Sequence, residues 1–257
     1  MPERCDCLVL RRVRFSETSL VLTLLDRESG RRDALAKGCR RPGTPLYGHL
    51  DLHRREECVI YPRRAGLDLV TQATLDEEFH GMGQAPLVFA AASLLAEWAS
   101  VFCPPREPHP EVFDQMLTAW RTLDRVGRVA ADPAPAAAAG LLGLLAAAGF
   151  APRVDGCAGC GVALDGIGGR PRFMSALGGL ACRKCAGTGS FGISADAANW
   201  LRAASQGQAA AAPGAGPSKA AAHSALLALA RFAGEIAGSP LRSAAVFAAL
   251  GRQTKKT

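Results

Sequence analysis

Residues 157–185 read CAGCGVALDGIGGRPRFMSALGGLACRKC, two C-x-x-C pairs, Cys157/Cys160 and Cys182/Cys185, with 21 residues between them. Two thiolates three positions apart can hold one edge of a tetrahedron around a metal, and a second pair completes it. The spacing lies just past the zinc-ribbon pattern of two C-x₂-C pairs about 15–20 residues apart. Gly156, Gly159, Gly161 and Gly187 flank the pairs and free the backbone to turn its N–H groups toward the sulfurs. Four cysteines close a zinc site and leave no position for a reactive water. The pattern therefore predicts a structural zinc that staples a small insertion. Redox dithiols or disulfides are the competing reading, and the second pair weighs against them.

The segments on either side differ in period. Upstream, Cys5–Phe15 (Cys5, Cys7, Val9, Val13 and Phe15 at period two), Leu20–Leu25, Arg31–Lys37, Glu57–Tyr61 and Leu67–Leu75 read as five short strands. A meander of three followed by a pair fits a small OB-type barrel, with an SH3-like barrel or a plain sheet as alternatives. From Pro86 the period becomes 3.6, giving helices over 86–102, 110–127 and 134–148. After the cysteine segment come a helix capped by Ser194, one over about 218–237, and a last one over 240–250. Residues 206–218 are low in complexity and read as a loop. The expected fold is α+β: an OB-type barrel in 1–80, then a helical domain in 81–257 interrupted by a zinc-ribbon-like insertion at 153–190. Trp98, Trp120 and Trp200 fall on apolar helix faces and read as core.

Composition narrows the function. Nine cysteines without a leader-like N-terminus suit reduced thiols in the cytoplasm. Apolar runs such as Leu87–Leu95 are too short for a membrane span. Among 214–219 no complete phosphate-loop motif occurs, and the five histidines form neither H-x-E nor H-E-x-x-H. No catalytic constellation emerges, so the chain reads as a non-enzyme.

The net charge of +7 is unevenly placed. Residues 157–257 hold 11 Lys/Arg against 3 Asp/Glu, and residues 27–64 hold ten against five. Arg31, Arg32, Lys37, Arg40 and Arg41 fall on the third strand and the following loop, the place where an OB barrel tracks nucleic-acid backbone. Tyr47, Tyr61 and Phe15 share that domain and could stack on bases, although Tyr61 could equally be buried. A solvated barrel surface is the bland alternative.

Several local stretches together resemble the bacterial recombination-mediator family RecO. Ser16-Glu17-Thr18-Ser19-Leu20 with Val21–Leu25 is similar to the family's hairpin, and Ala36-Lys37-Gly38-Cys39-Arg40-Arg41-Pro42 to its next strand end. Gly149-Phe150-Ala151-Pro152 resembles the lead-in to the first cysteine pair. Phe173-Met174-Ser175 and Gly178-Gly179-Leu180-Ala181-Cys182 resemble the approach to the second. The chain departs from the family at Ser16, where many relatives carry glycine, and in the Ala-rich 206–218 segment. Some relatives lack the cysteines, which favours a structural metal.

The resemblance implies a nucleoid-associated DNA-repair protein of the RecF pathway. It implies binding of single- and double-stranded DNA, strand annealing, work with RecR and SSB, and help in loading RecA. The basic helical half suggests a groove for the acidic tail of SSB, with Arg202, Arg231 and Arg242 at its rim. The rival readings are a zinc-ribbon scaffold and an accessory subunit of a nucleic-acid enzyme.

Overall fold

The computed structural model describes residues 1–163, 165, 170–207 and 217–253. Five strands, β1 (Glu3–Arg14), β2 (Leu20–Asp26), β3 (Gly30–Ala36), β4 (Arg54–Tyr61) and β5 (Asp68–Glu78), form a closed barrel in the order β1-β2-β3-β5-β4. Closure depends on the length of β1. Its first part pairs with β4, Glu3 opposite Ile60, and its second part with β2, Arg14 opposite Leu20. A short parallel pairing of Ala34–Ala36 with Asp68–Val70 joins β3 to β5. The meander and pair thus close as the OB-type arrangement, leaving none of the free edges of a plain sheet. Alternate residues Cys5, Cys7, Val9, Leu22, Leu24, Ala34, Cys58 and Ile60 fill the interior.

One expectation for β1 fails. Period two does not run from Cys5 to Phe15, because the register shifts between Val9 and Arg11. The extra residue turns the strand over, as a β-bulge does. Val13 and Phe15 consequently lie 43% and 66% exposed instead of inside the barrel. Tyr61 is also exposed.

The helical part comprises α1 (Pro86–Phe102), α2 (Pro110–Arg128), α3 (Ala134–Ala147), α4 (Ala195–Ser205), α5 (Lys219–Ile236) and α6 (Arg242–Gln253). Prolines in the first turns of α1, α2 and α3 spend no N–H that the helix needs. Ser194 and Ser218 cap α4 and α5 by accepting from the N–H groups of Ala197 and Ala221. α6 starts two residues later than its sequence pattern suggests. Its leading N–H groups, those of Arg242 and Ser243, are held by the two carboxylate oxygens of Glu97 on α1, at 2.9 and 2.7 Å. Trp98, Trp120 and Trp200 are all buried.

A second core, apart from the barrel interior, joins barrel and helices. Leu8, Leu10 and Leu25 point outward from the barrel into the cluster built around Trp98 and Trp120, each worth about 1.5–3 kcal/mol when fully buried. Two bidentate ion pairs fasten the rim of this joint: Arg27 to Asp114 and Arg121 to Glu77. Gly30 is required here, since a Cβ would stand 1.8 Å from the Glu107 carbonyl oxygen. His53 plugs the joint between Phe89 and Trp120, ring centroids 4.9 and 5.3 Å away.

Between α3 and α4, three short strands, β6 (Arg172–Met174), β7 (Gly179–Ala181) and β8 (Phe191–Gly192), form a sheet in the order β7-β6-β8. Phe173 of β6 contacts Phe191 and Phe232 of α5, so the small sheet rides on that helix.

Candidate metal centre and nucleic-acid interface

The small sheet brings the two cysteine pairs together. Gly156 bridges to Ala163 and the Cys157 N–H donates to the Val162 carbonyl at 2.8 Å, folding the first pair into a tight hairpin. The second pair follows β7, where the Cys185 and Ala186 N–H groups donate to the Cys182 carbonyl. All four sulfurs lie within 4.8 Å of one another, and the Cys160–Cys182 separation is 3.8 Å. A tetrahedral ion with sulfurs at about 2.3 Å requires edges of about 3.8 Å. The donor set fits a metal ion in both size and chemistry. Gly159 allows this closeness, because a Cβ there would stand 2.9 Å from the Cys185 Cβ.

The thiols are prepared unequally. Burial raises the Cys157 thiol, but N–H groups of Cys182, Cys160 and Gly159 outweigh it and bring the group down to about 6. The Cys182 N–H reaches the Cys157 sulfur at 3.3 Å. N–H groups at Cys185 likewise lower Cys182. Cys185, hydrogen-bonded to Cys182, Cys160 and Cys157, is pushed up to about 12. Cys157 and Cys182 are buried while Cys160 is exposed, so one corner of the centre faces solvent.

On the barrel the structure separates the five predicted cations. Lys37, Arg40 and Arg41 are exposed on the loop after β3. Arg40 donates to the Glu17 carbonyl at 2.8 Å, and its own N–H to the Thr18 carbonyl, which holds this loop against the β1–β2 hairpin. Arg31 and Arg32 correct the sequence reading. Arg32 is 6% exposed and ion-paired with Glu3, Asp26 and Asp68. Arg31 reaches the Ser100 carbonyl of α1 at 2.6 Å and pairs with Asp33. Both are joints of the fold and offer no free charge. Their neighbours Asp26 and Asp68 are buried, and buried carboxylates must be paired.

In their place stands Arg14, at the end of β1 beside the hairpin tip. Arg11, Arg12 and Arg14 are exposed beyond the bulge and lead to Phe15 at the hairpin tip. Arg14, Phe15, Lys37, Arg40, Arg41 and the half-exposed Tyr47 thus give the barrel a basic surface carrying two aromatic side chains. The run Arg11-Arg12-Val13-Arg14, with three cations in four positions, was the available signal.

The helical half does not gather Arg202, Arg231 and Arg242 around one groove. Arg202 pairs with Asp165. Arg231 lies over the Phe191 ring at 4.2 Å, pairs with Glu235, and edges a pocket of about 580 Å³ between α5 and α6. Arg242 lines a different cleft, between α6 and the barrel. The two pockets meet at Ser239 and Pro240, between α5 and α6, but each arginine lines only one of them.

Comparison with known proteins agrees with this architecture. The family model described as "Recombination protein O N terminal" matches residues 1–79, and "Recombination protein O C terminal" matches residues 84–244. The chain belongs to the RecO family. It is 36% identical over 179 residues to the DNA repair protein RecO of Rhodopirellula baltica, covering 69% of this chain and 65% of that one. It is 31% identical over 185 residues to that of Desulfitobacterium hafniense, covering 72% and 65%. With the RecO protein of Symbiobacterium thermophilum it shares 29% over 187 residues, covering 72% and 71%. The match thus spans about two thirds of the length of these RecO proteins. The boundary between the two RecO models, residues 80–83, falls on the 3₁₀ turn His80–Gly83 that joins the barrel to α1.

Proposed function

We propose that this chain is a DNA repair and recombination mediator of the RecF pathway. It binds single- and double-stranded DNA on the barrel, anneals complementary strands, and assists RecA loading together with RecR and SSB. One observation carries the reading: a closed OB-type barrel whose hairpin and β3–β4 loop present Arg14, Lys37, Arg40 and Arg41 with Phe15 and Tyr47. Cations neutralise phosphates without regard to sequence, and exposed aromatics give bases a stacking surface worth about 1–3 kcal/mol each. The protein acts by holding strands and partners, with no bond-making step of its own. It works in the cytoplasm, at the nucleoid; among the described residues no helix is long and apolar enough to cross a membrane.

Zinc is the ion that four soft thiolates in a tetrahedron suit. Its role here is to hold β6–β8 on α5, not to enter a reaction. For the acidic SSB tail, the pocket between α5 and α6 is the best receptor, with apolar walls from Leu227, Leu241 and Ala244 and Arg231 at the edge. Glu235 shares that edge and weakens its pull on an acidic peptide. The scaffold reading gains from Arg31 and Arg32, which are spent inside the fold. Fluorescence anisotropy of a labelled single strand, titrated with salt, separates the two. A mediator gives binding of similar strength across unrelated sequences that falls steeply with salt, whereas a scaffold gives none.

A further inference from the structure

Beside the barrel lies a cleft of about 500 Å³ that the reading above leaves unused, lined among others by Arg11, Arg12, Leu52, Glu97 and Arg242. We propose that this cleft is a second phosphate site, which holds the backbone of a DNA strand as it leaves the barrel hairpin. The proposal rests on the barrel being a DNA-binding surface.

The cleft is basic. Glu97 is the one carboxylate among its lining residues; its oxygens accept from the Arg242 and Ser243 N–H groups, and its single negative charge stands against the three cations Arg11, Arg12 and Arg242. Asp51 offsets only Arg12, at 2.9 Å. His53, also on the wall, is held neutral because burial pushes its ring down to about 4. Arg11 and Arg242 remain: both are exposed, and neither guanidinium has an ion-pair partner among the described residues. Two guanidiniums outside any ion pair, one on β1 and one on α6, line the same cleft and suit phosphate oxygens.

Position gives the occupant. The bulge in β1 places Arg11 opposite Thr23 and Arg12 opposite Leu22, on opposite faces of the strand. Arg12, which lines the cleft, shares its strand face with Arg14 two positions on, about 7 Å away at strand rise, so cations continue from the cleft toward the hairpin tip. A strand lying on the hairpin is led into the cleft by this row. An acidic peptide fits less well, because it needs apolar anchors, and those line the other pocket at Leu227, Ala230 and Leu241.

Strand length isolates the site. An oligomer of about 4 nucleotides, at the lower end of the site size of one OB fold, is held on the barrel, and one of about 30 reaches the cleft. The double variant Arg11→Glu/Arg242→Glu is expected to bind the short strand as wild type does. With the long strand its salt slope falls by about 1.4, two contacts at about 0.7 each. Both side chains are exposed, and the Arg11→Gln/Arg242→Gln pair with matching thermal melts controls for folding. Wild-type binding of the long strand by both pairs overturns the cleft, while the barrel reading stands if Arg40→Glu/Arg41→Glu still loses the short one. A short strand indifferent to Arg40→Glu/Arg41→Glu overturns the barrel reading and, with it, the path into the cleft. Loss of an acidic peptide with the long strand retained also overturns the proposal, and reassigns the cleft to a protein partner.

Discussion

Acid should loosen the joint between barrel and helices through His53. The ring is buried between Phe89 and Trp120, with Ser93 Oγ 3.3 Å from its Nε2. Burial lowers it from 6.5 to about 4, against a smaller pull upward from Asp51. The unfolded chain thus takes up this proton below about pH 6.5, while the folded chain resists it until about pH 4. Stability is full above pH 6.5, declines as pH falls through that window, and levels off below about 4. The shift of about 2.5 units corresponds to about 3 kcal/mol, most of it lost by pH 4.5. Urea unfolding at pH 7.5 and 4.5 measures it, comparing wild type with His53→Asn. Asparagine accepts the positive φ of 59° at this position and carries no titrating ring. The variant is less stable at pH 7.5, having lost the ring contacts, but its stability declines less on acidification. Equal declines in the two proteins would refute the reasoning.

Gly159→Ala drives a methyl group against Cys185 and should lower zinc retention in a chelator competition, while the barrel still melts as in wild type. Once a chelator has removed the metal, alkylation should label Cys160 first, then its three partners. Cys103 stays unlabelled, because burial raises it to about 11, and so do the buried barrel thiols; mass spectrometry reads the order. Glu97→Ala uncaps α6 and should cost about 0.5–2 kcal/mol in chemical denaturation, with Glu97→Gln recovering part through its remaining carbonyl acceptor.

Much of this architecture was legible in the residues. The strands read at 20–25 and 31–37, the proline-led helices and the Ser194 cap are local signals, and they stand within a residue of where the pattern puts them. The four cysteines converge as their spacing demands. What escaped was set by distant partners. Nothing near Arg32 announces Glu3, Asp26 and Asp68, which close around it from other strands. A bulge leaves no mark in a period-two count, which puts Phe15 on the same face as Cys5 and Cys7. β6–β8, two or three residues each, are too short to show a period at all. The dispersal of Arg202, Arg231 and Arg242 depends on how α4, α5 and α6 cross, which helical periodicity does not contain.

The central claim is that this surface of the barrel, and not the arginines buried in its joints, binds DNA. Salt-titrated binding of a labelled single strand to Arg40→Glu/Arg41→Glu tests it most directly. The account predicts weaker binding to every sequence tried and a slope shallower by about 1.4, at about 0.7 per lost contact, in a protein that melts like wild type. Unchanged affinity and slope in that folded variant would contradict it.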